Sequence, residues 1–315
     1  MRRTVSESIF AEAARVKSYN FSVSQSPLET SVAIPRLTPR APDSHKGTYG
    51  RALIVAGSRG MSGAAVLSGS ACLRGGAGLV QVAVPGEILS TVAAGNPCYM
   101  TTPLAQDLRG RLGSSAIDEL VALGENWADV IAIGPGLGQA EAMPAIIAAV
   151  VERFVKPLVI DADGLNALAK LDSHSWQKHR MPIVLTPHPG EFARLTGCSS
   201  DDVRSRRQEL ASQYAANQQV VLVLKGHNTL VTDGKRAHVN PTGNPGMATG
   251  GSGDVLTGLI AALIGQGLEA FDAAVLGAWV HGRAGDLAAE HFGQTALIAS
   301  DLLTYLPPTL REVGG

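Results

Sequence analysis

The chain has 315 residues and carries 26 Lys plus Arg against 27 Asp plus Glu, a formal charge of −1. So even a balance gives no field for holding a polyanion or an anionic bilayer by charge, which argues against a nucleic-acid or membrane-surface binder. Hydrophobic residues reach 45% and charged ones only 17%, where about 25% is usual, so the chain is not disordered and is long enough to bury a large core without staples.

Residues 1–45 read as an arm or leader, rich in Ser and Pro and closed by Pro35, Pro39 and Pro42, with residues 9–16 suited to a short helix. Met1-Arg2-Arg3 is not followed by an apolar stretch, so no secretory signal is expected, and Glu7, Glu12 and Glu29 argue against a transit peptide. From Arg51 the pattern alternates. Short apolar runs at 52–56, 79–84, 130–133, 158–160, 183–185 and 220–224 read as buried strands, each ended by Gly, Pro, Asp, Thr or Lys. Helical stretches at 63–74, 140–151 and 205–216 lie between them, and residues 229–231 and 238–240 suit a hairpin around Asp233-Gly234. Two more helices are expected near 254–264 and 271–290. The longest apolar run follows Asp254 and breaks at Gly265 and Gln266. It falls short of the roughly 20 residues a bilayer span needs. Cys72, Cys98 and Cys198 are widely spaced, with no C-x-x-C, which points to free thiols and a cytoplasmic location.

This alternation predicts one α/β domain over residues 46–315, a doubly wound, mostly parallel sheet with helices on both faces and a late antiparallel hairpin. Ligands bind such sheets beyond the carboxyl ends of the strands. The P-loop, G-x-G-x-x-G, G-x-S-x-G and H-E-x-x-H motifs are all absent. The strongest signal is the stretch 243–253, with Gly243, Gly246, Gly250, Gly251 and Gly253 leading into a helix at Asp254. Converging amides of Gly250, Gly251, Ser252 and Gly253 at a helix N-terminus make an anion cradle without any lysine. Asp254, beside a bound phosphate, is suited to take a proton from a substrate hydroxyl, though an acid in a first helical turn is also favourable by itself.

Other strand ends carry weaker signals. Lys225-Gly226-His227-Asn228-Thr229 suits a nucleotide contact or a tight turn. His188, stiffened between Pro187 and Pro189, suits a substrate contact, with Glu191 as a helix cap. Asp161 and Asp163 suit Mg²⁺ held through water, or Asp163 a helix N-cap. Gly134-Pro135-Gly136-Leu137-Gly138 lets a ligand near the backbone or simply turns the chain. His281, Asp286, Glu290 and His291 read as a solvated or packing face of a helix.

In order along the chain, Lys46-Gly47-Thr48-Tyr49-Gly50-Arg51, Ala56-Gly57-Ser58, Met61-Ser62-Gly63-Ala64, Gly75-Gly76-Ala77-Gly78-Leu79-Val80 and the segments just described resemble the ADP-dependent NAD(P)H-hydrate dehydratases. The resemblance implies a ribokinase-like fold and repair of hydrated NADH and NADPH. In that reaction ADP is the co-substrate, Mg²⁺ assists, and AMP and phosphate are released. It implies that Ala64, Gly136, His188 and Asp254 contact the hydrated dinucleotide, and that Lys225, Gly226, His227, Asn228, Thr229 and Gly253 contact the adenine nucleotide. Relatives imply a homotetramer, and partnership with a separate NAD(P)H-hydrate epimerase in place of the fused domain many members carry. A thiazole-alcohol kinase of the same fold, or a regulatory nucleotide-binding module, are the competing expectations.

Overall fold

The computed structural model describes residues 29–30, 33–177 and 179–314; the helix expected at 9–16 lies outside them. The strands are β1 (Arg51–Val55), β2 (Leu79–Pro85), β3 (Met100–Leu104), β4 (Val130–Ile133), β5 (Leu158–Ile160), β6 (Ile183–Leu185), β7 (Val221–Leu224), β8 (Leu230–Thr232) and β9 (Ala237–Val239). The helices are α1 (Ser62–Arg74), α2 (Leu89–Gly95), α3 (Ala116–Trp127), α4 (Met143–Arg153), α5 (Ala162–Leu168), α6 (Ser173–Trp176), α7 (Pro189–Thr196), α8 (Ser200–Ser205), α9 (Arg207–Gln218), α10 (Ser252–Gly265), α11 (Ala270–Phe292) and α12 (Ala299–Glu312).

The nine strands of the described residues form one sheet in the order β3-β2-β1-β4-β5-β6-β7-β8-β9. Every pair from β3 to β7 is parallel, and β8 and β9 add antiparallel. The alternation of the strands divides the interior into two cores. Ile54 of β1 pairs with Val82 and Ala132, and all three face a layer built from α1, α10, α11 and α12. Leu53, Ile131 and Ile133 face the other way, onto α3, α4, α5, α7 and α9. Strands buried on both faces have no polar side to show, which is why they read as unbroken apolar runs.

The expected strands are found, with the hairpin displaced by one residue. The edge strand β3 was not expected: its sequence, MTTPL, is half-exposed and holds Pro103, tolerated because an edge needs fewer ladder bonds. Helices α2, α3, α6, α8 and α12 were also missed. α12 contains Pro307 and Pro308, which read as breakers in sequence. Before Lys46, Glu29 bridges to Arg236, and the Arg40 guanidinium stacks on Tyr49 and donates to the Gly76 carbonyl.

Candidate active site

Strand order reverses between β1 and β4, and the loops leaving these strands are tied together. Gly57 N–H donates to the Pro135 carbonyl at 2.7 Å, and Ser58 Oγ to the Gly136 carbonyl at 2.8 Å. A Cβ at Gly136 would stand 2.7 Å from Cβ of Ala64, so these two expected substrate residues form one wall.

Beside them β5 ends in Asp161, whose side chain is 1% exposed. Lys225 Nζ, from the end of β7, donates to Asp161 Oδ1 at 2.7 Å, and Thr257 Oγ1 of α10 donates to Oδ2 at 2.8 Å. The following residue, Ala162, has φ +49°, a left-handed conformation that a residue with a Cβ adopts only at a cost. Asp163 is not the helix N-cap; that position falls to Asp161. Its carboxylate instead accepts from the Gly138 amide at 2.8 Å and from Asn166 Nδ2 at 3.4 Å, while Asn166 Oδ1 accepts from Arg194 Nε at 2.9 Å. Among the described residues no three His, Cys, Asp or Glu side chains gather as a metal cage. The expected Asp161 and Asp163 pair is thus engaged by Lys225, Thr257, Gly138 and Asn166, a poor fit to a protein-held Mg²⁺.

His188 is the N-cap of α7. Its Nδ1 accepts from the amides of Gly190 at 3.0 Å and Glu191 at 3.3 Å, which leaves the proton on Nε2, 3.3 Å from Glu191 Oε1. Glu191 returns the bond by accepting the His188 amide at 2.8 Å, closing a capping box. Burial holds the His188 pKa below its ordinary value against the opposing charge of Glu191.

Within the glycine stretch Gly251 is the N-cap of α10, with φ +92°, so Gly253 falls in the first helical turn. Asp254 stands in the first turn. Burial, and next the charge of Asp161, push its pKa up to about 7, with Lys225 opposing. A Cβ at Gly253 would lie 3.2 Å from Lys225 Nζ. The cradle is therefore not free of lysine, as its sequence implied; Lys225 is delivered to it from a distant strand.

Two supports of this stretch escaped sequence reading. Asp286 of α11 accepts from the Gly243 amide and from Asn244 Nδ2, both at 3.0 Å. His281 is half-buried, at the edge of the pocket described below: Nε2 donates to the Ser252 carbonyl at 2.9 Å, and burial lowers its pKa to about 4. Only the helical spacing of His281 and Asp286 was visible beforehand, and that spacing suits packing equally well.

A pocket of about 640 Å³ opens between the two loops. Lys225, Gly226, His227, Asn228 and Thr229 line one side, Ser252 and Gly253 another, and His188 and His281 also reach it. Asp254, Ala64, Gly136, Gly250 and Gly251 are not in its lining. Asp254 Oδ2 lies instead on the side of Gly251, whose missing Cβ would meet Leu67 of α1.

The family model described as NAD(P)H-hydrate dehydratase matches residues 52–308. The chain belongs to the NAD(P)H-hydrate dehydratase family. It is 47% identical over 281 residues to the bifunctional NAD(P)H-hydrate repair enzyme of Moorella thermoacetica, covering 88% of this chain but 52% of that protein. The chain thus spans about half the length of the bifunctional relatives it matches. It is 38% identical over 281 residues to the ADP-dependent (S)-NAD(P)H-hydrate dehydratase of Neisseria meningitidis, covering 87% of this chain and 90% of that one. Among solved structures, the ADP/ATP-dependent NAD(P)H-hydrate dehydratase of Bacillus subtilis, co-crystallised with ATP and Mg²⁺, is similar with a TM-score of 0.77 and 32% identity, covering 88% of this chain and 95% of that one. The dehydratase family's ribokinase-like architecture is the one the alternating strands led us to expect.

Proposed function

We propose that this chain dehydrates the hydrated forms of NADH and NADPH at the expense of ADP, restoring the reduced cofactor and releasing AMP and phosphate. The observation that carries the reading is Asp254, a half-buried carboxylate held near neutrality at the N-terminus of α10, beside an amide-lined pocket that Lys225 enters.

Hydroxide is a poor leaving group from a reduced nicotinamide ring at neutral pH, and phosphorylation corrects that. Asp254 takes the proton of the ring hydroxyl as that oxygen attacks the β-phosphorus of ADP, and the bond to AMP breaks. The cradle amides and Lys225 meet the charge on the transferring phosphoryl group. The new phosphate ester then departs with its C–O electron pair, pushed by the ring nitrogen lone pair. Loss of a proton from the neighbouring ring carbon restores the dihydronicotinamide. Ala64, Gly136 and His188 would form the dinucleotide side, and Lys225, Gly226, His227, Asn228, Thr229, Gly250, Gly251, Ser252 and Gly253 the nucleotide side. Mg²⁺ enters this reading only as an ion carried on the nucleotide's phosphates, where it neutralises charge.

The bifunctional names of relatives support partnership with an epimerase. The free Cys72, Cys98 and Cys198 suit a reducing, cytoplasmic setting. Among the described residues no helix is long and apolar enough to cross a membrane.

The test is an incubation of the purified chain with hydrated NADPH and ADP, following the absorbance of the restored dihydronicotinamide and counting AMP and phosphate. One AMP and one phosphate per cofactor restored is expected. A stable phosphorylated product would mark a kinase and overturn the reading, as would ADP binding with no turnover.

A further inference from the structure

Arg207, at the start of α9, does not line the pocket, yet it grips the loop that does. Its Nη1 donates to the His227 carbonyl at 2.7 Å, and its Nη2 to the carbonyls of Leu224 at 2.5 Å and Lys225 at 3.3 Å. Two more of the loop's carbonyls are also taken. Gly226 O accepts from Thr229 Oγ1 at 3.1 Å, and Thr229 O from the Asn240 amide at 2.9 Å. The amides differ. Among the described residues those of Gly226, His227 and Asn228 donate to no acceptor, and Gly226 and Asn228 have positive φ values of 136° and 55°. Successive free amides in such a bend make a concave site for an anion.

The arginine itself is left short of an anion. Its Nε is buried without a partner, and among the described residues no carboxylate pairs with its guanidinium, whereas its exposed neighbour Arg206 pairs with Glu209 at 2.6 Å. Burial alone lowers its pKa. A half-buried cation answered only by carbonyl dipoles is costly unless something negative comes near.

We propose that Arg207 is a positioning residue for the nucleoside diphosphate: by drawing the loop's carbonyl oxygens onto its guanidinium it leaves the amides of residues 226–228 facing the pocket, and a phosphate bound there supplies the anion this arginine lacks. The inference rests on the nucleotide reading of the Lys225–Thr229 loop. Arg207 touches neither reactant and acts through that loop.

The experiment is calorimetric titration of the full chain with ADP alone, which needs no turnover, comparing Arg207→Ala, Arg207→Lys and the control Arg206→Met. Arg207→Ala should weaken ADP binding about tenfold or more, the loss expected when hydrogen bonds to a charged group vanish. Arg207→Lys, which can reach one carbonyl but not three, should lie between, and it serves alone if Arg207→Ala does not fold. Added guanidinium ion should restore much of the affinity of Arg207→Ala, a rescue no merely structural arginine would show. In turnover the KM for ADP should rise with the Kd, while the KM for hydrated NADPH stays within about twofold. Arg207 variants that bind ADP like wild type overturn this inference and leave the dehydratase reading standing. A wild-type chain that binds no ADP overturns both.

Discussion

Lys225 and Asp161 meet at 2.7 Å, an ammonium against a buried carboxylate, although 64 positions separate them. Parallel β5, β6 and β7 bring both strand ends to the same edge, and Thr257 of α10 closes the second carboxylate oxygen. The lysine side chain is 20% exposed and the aspartate 1%, so the pair is a fixed part of the edge and not a surface ion pair.

Removing the lysine should therefore be worse than removing the pair. Lys225→Met leaves a buried charge unanswered and should cost about 3–5 kcal/mol. The double variant Lys225→Met with Asp161→Asn should regain much of that stability in urea unfolding, yet still bind ADP poorly. A double variant that recovers ADP affinity would show that Lys225 serves only Asp161.

Asp254 ties stability and activity to pH with opposite signs. Its pKa is raised to about 7 in the fold from an ordinary 3.8, so the folded state holds the proton more tightly. The stability this gives is full below about pH 4 and is lost as pH rises through about 7. Asp254→Asn does not titrate. It should gain on the wild type across that window, reaching a few kcal/mol at pH 8. Turnover needs the ionised base, so kcat/KM of the wild type should rise with an acid limb near pH 7, and Asp254→Asn should lose turnover while keeping ADP affinity. Near-normal turnover in that variant would remove Asp254 from the mechanism.

Gly134 shows how closely the edge is built. Its φ is +133°, and a Cβ there would stand 1.9 Å from the Asp161 carbonyl oxygen. That atom is backbone and has nowhere to go. Gly134→Ala should cost about 3 kcal/mol or more and displace Asp161, lowering turnover with it. Thermal and urea unfolding check the first part. A loss under about 1 kcal/mol would mean the two loops are not in contact.

Much of this was legible in the sequence because parallel strands leave their chemistry where they stop. Asp161, Thr186, Lys225 and the Gly134–Gly138 turn stand out as the first unusual residues after apolar runs. What was not legible came from helices. Thr257, His281, Asp286 and Arg207 serve the same edge, yet in sequence each is one polar residue in a helical pattern, indistinguishable from a packing position. Nor does the pairing of Lys225 with Asp161 follow from either motif alone, because it depends on which strands become neighbours. β3 and α12 were hidden for a different reason: Pro103, Pro307 and Pro308 break local patterns that an edge position and tertiary packing tolerate.

His281 should reveal its lowered pKa by silence and by a slope. Its pKa is lowered to about 4, so it stays neutral at working pH, with the proton on Nε2 facing the Ser252 carbonyl. Nitrogen-15 shifts of the ring should report this tautomer unchanged from pH 5.5 to 8. The unfolded chain takes up the proton near pH 6.5, so the stability owed to neutral His281 is present above that value and falls as pH drops through about 4. His188, also lowered by burial, pulls the same way, while Asp254 pulls oppositely over the same range. The comparison must therefore be made one site at a time. His281→Gln keeps a donor for Ser252 but cannot titrate, so its stability should fall less than that of wild type between pH 6.5 and 4, by about 2–3 kcal/mol in all. Parallel curves for the two proteins would mean that His281 is open to water, and the Ser252 contact with it.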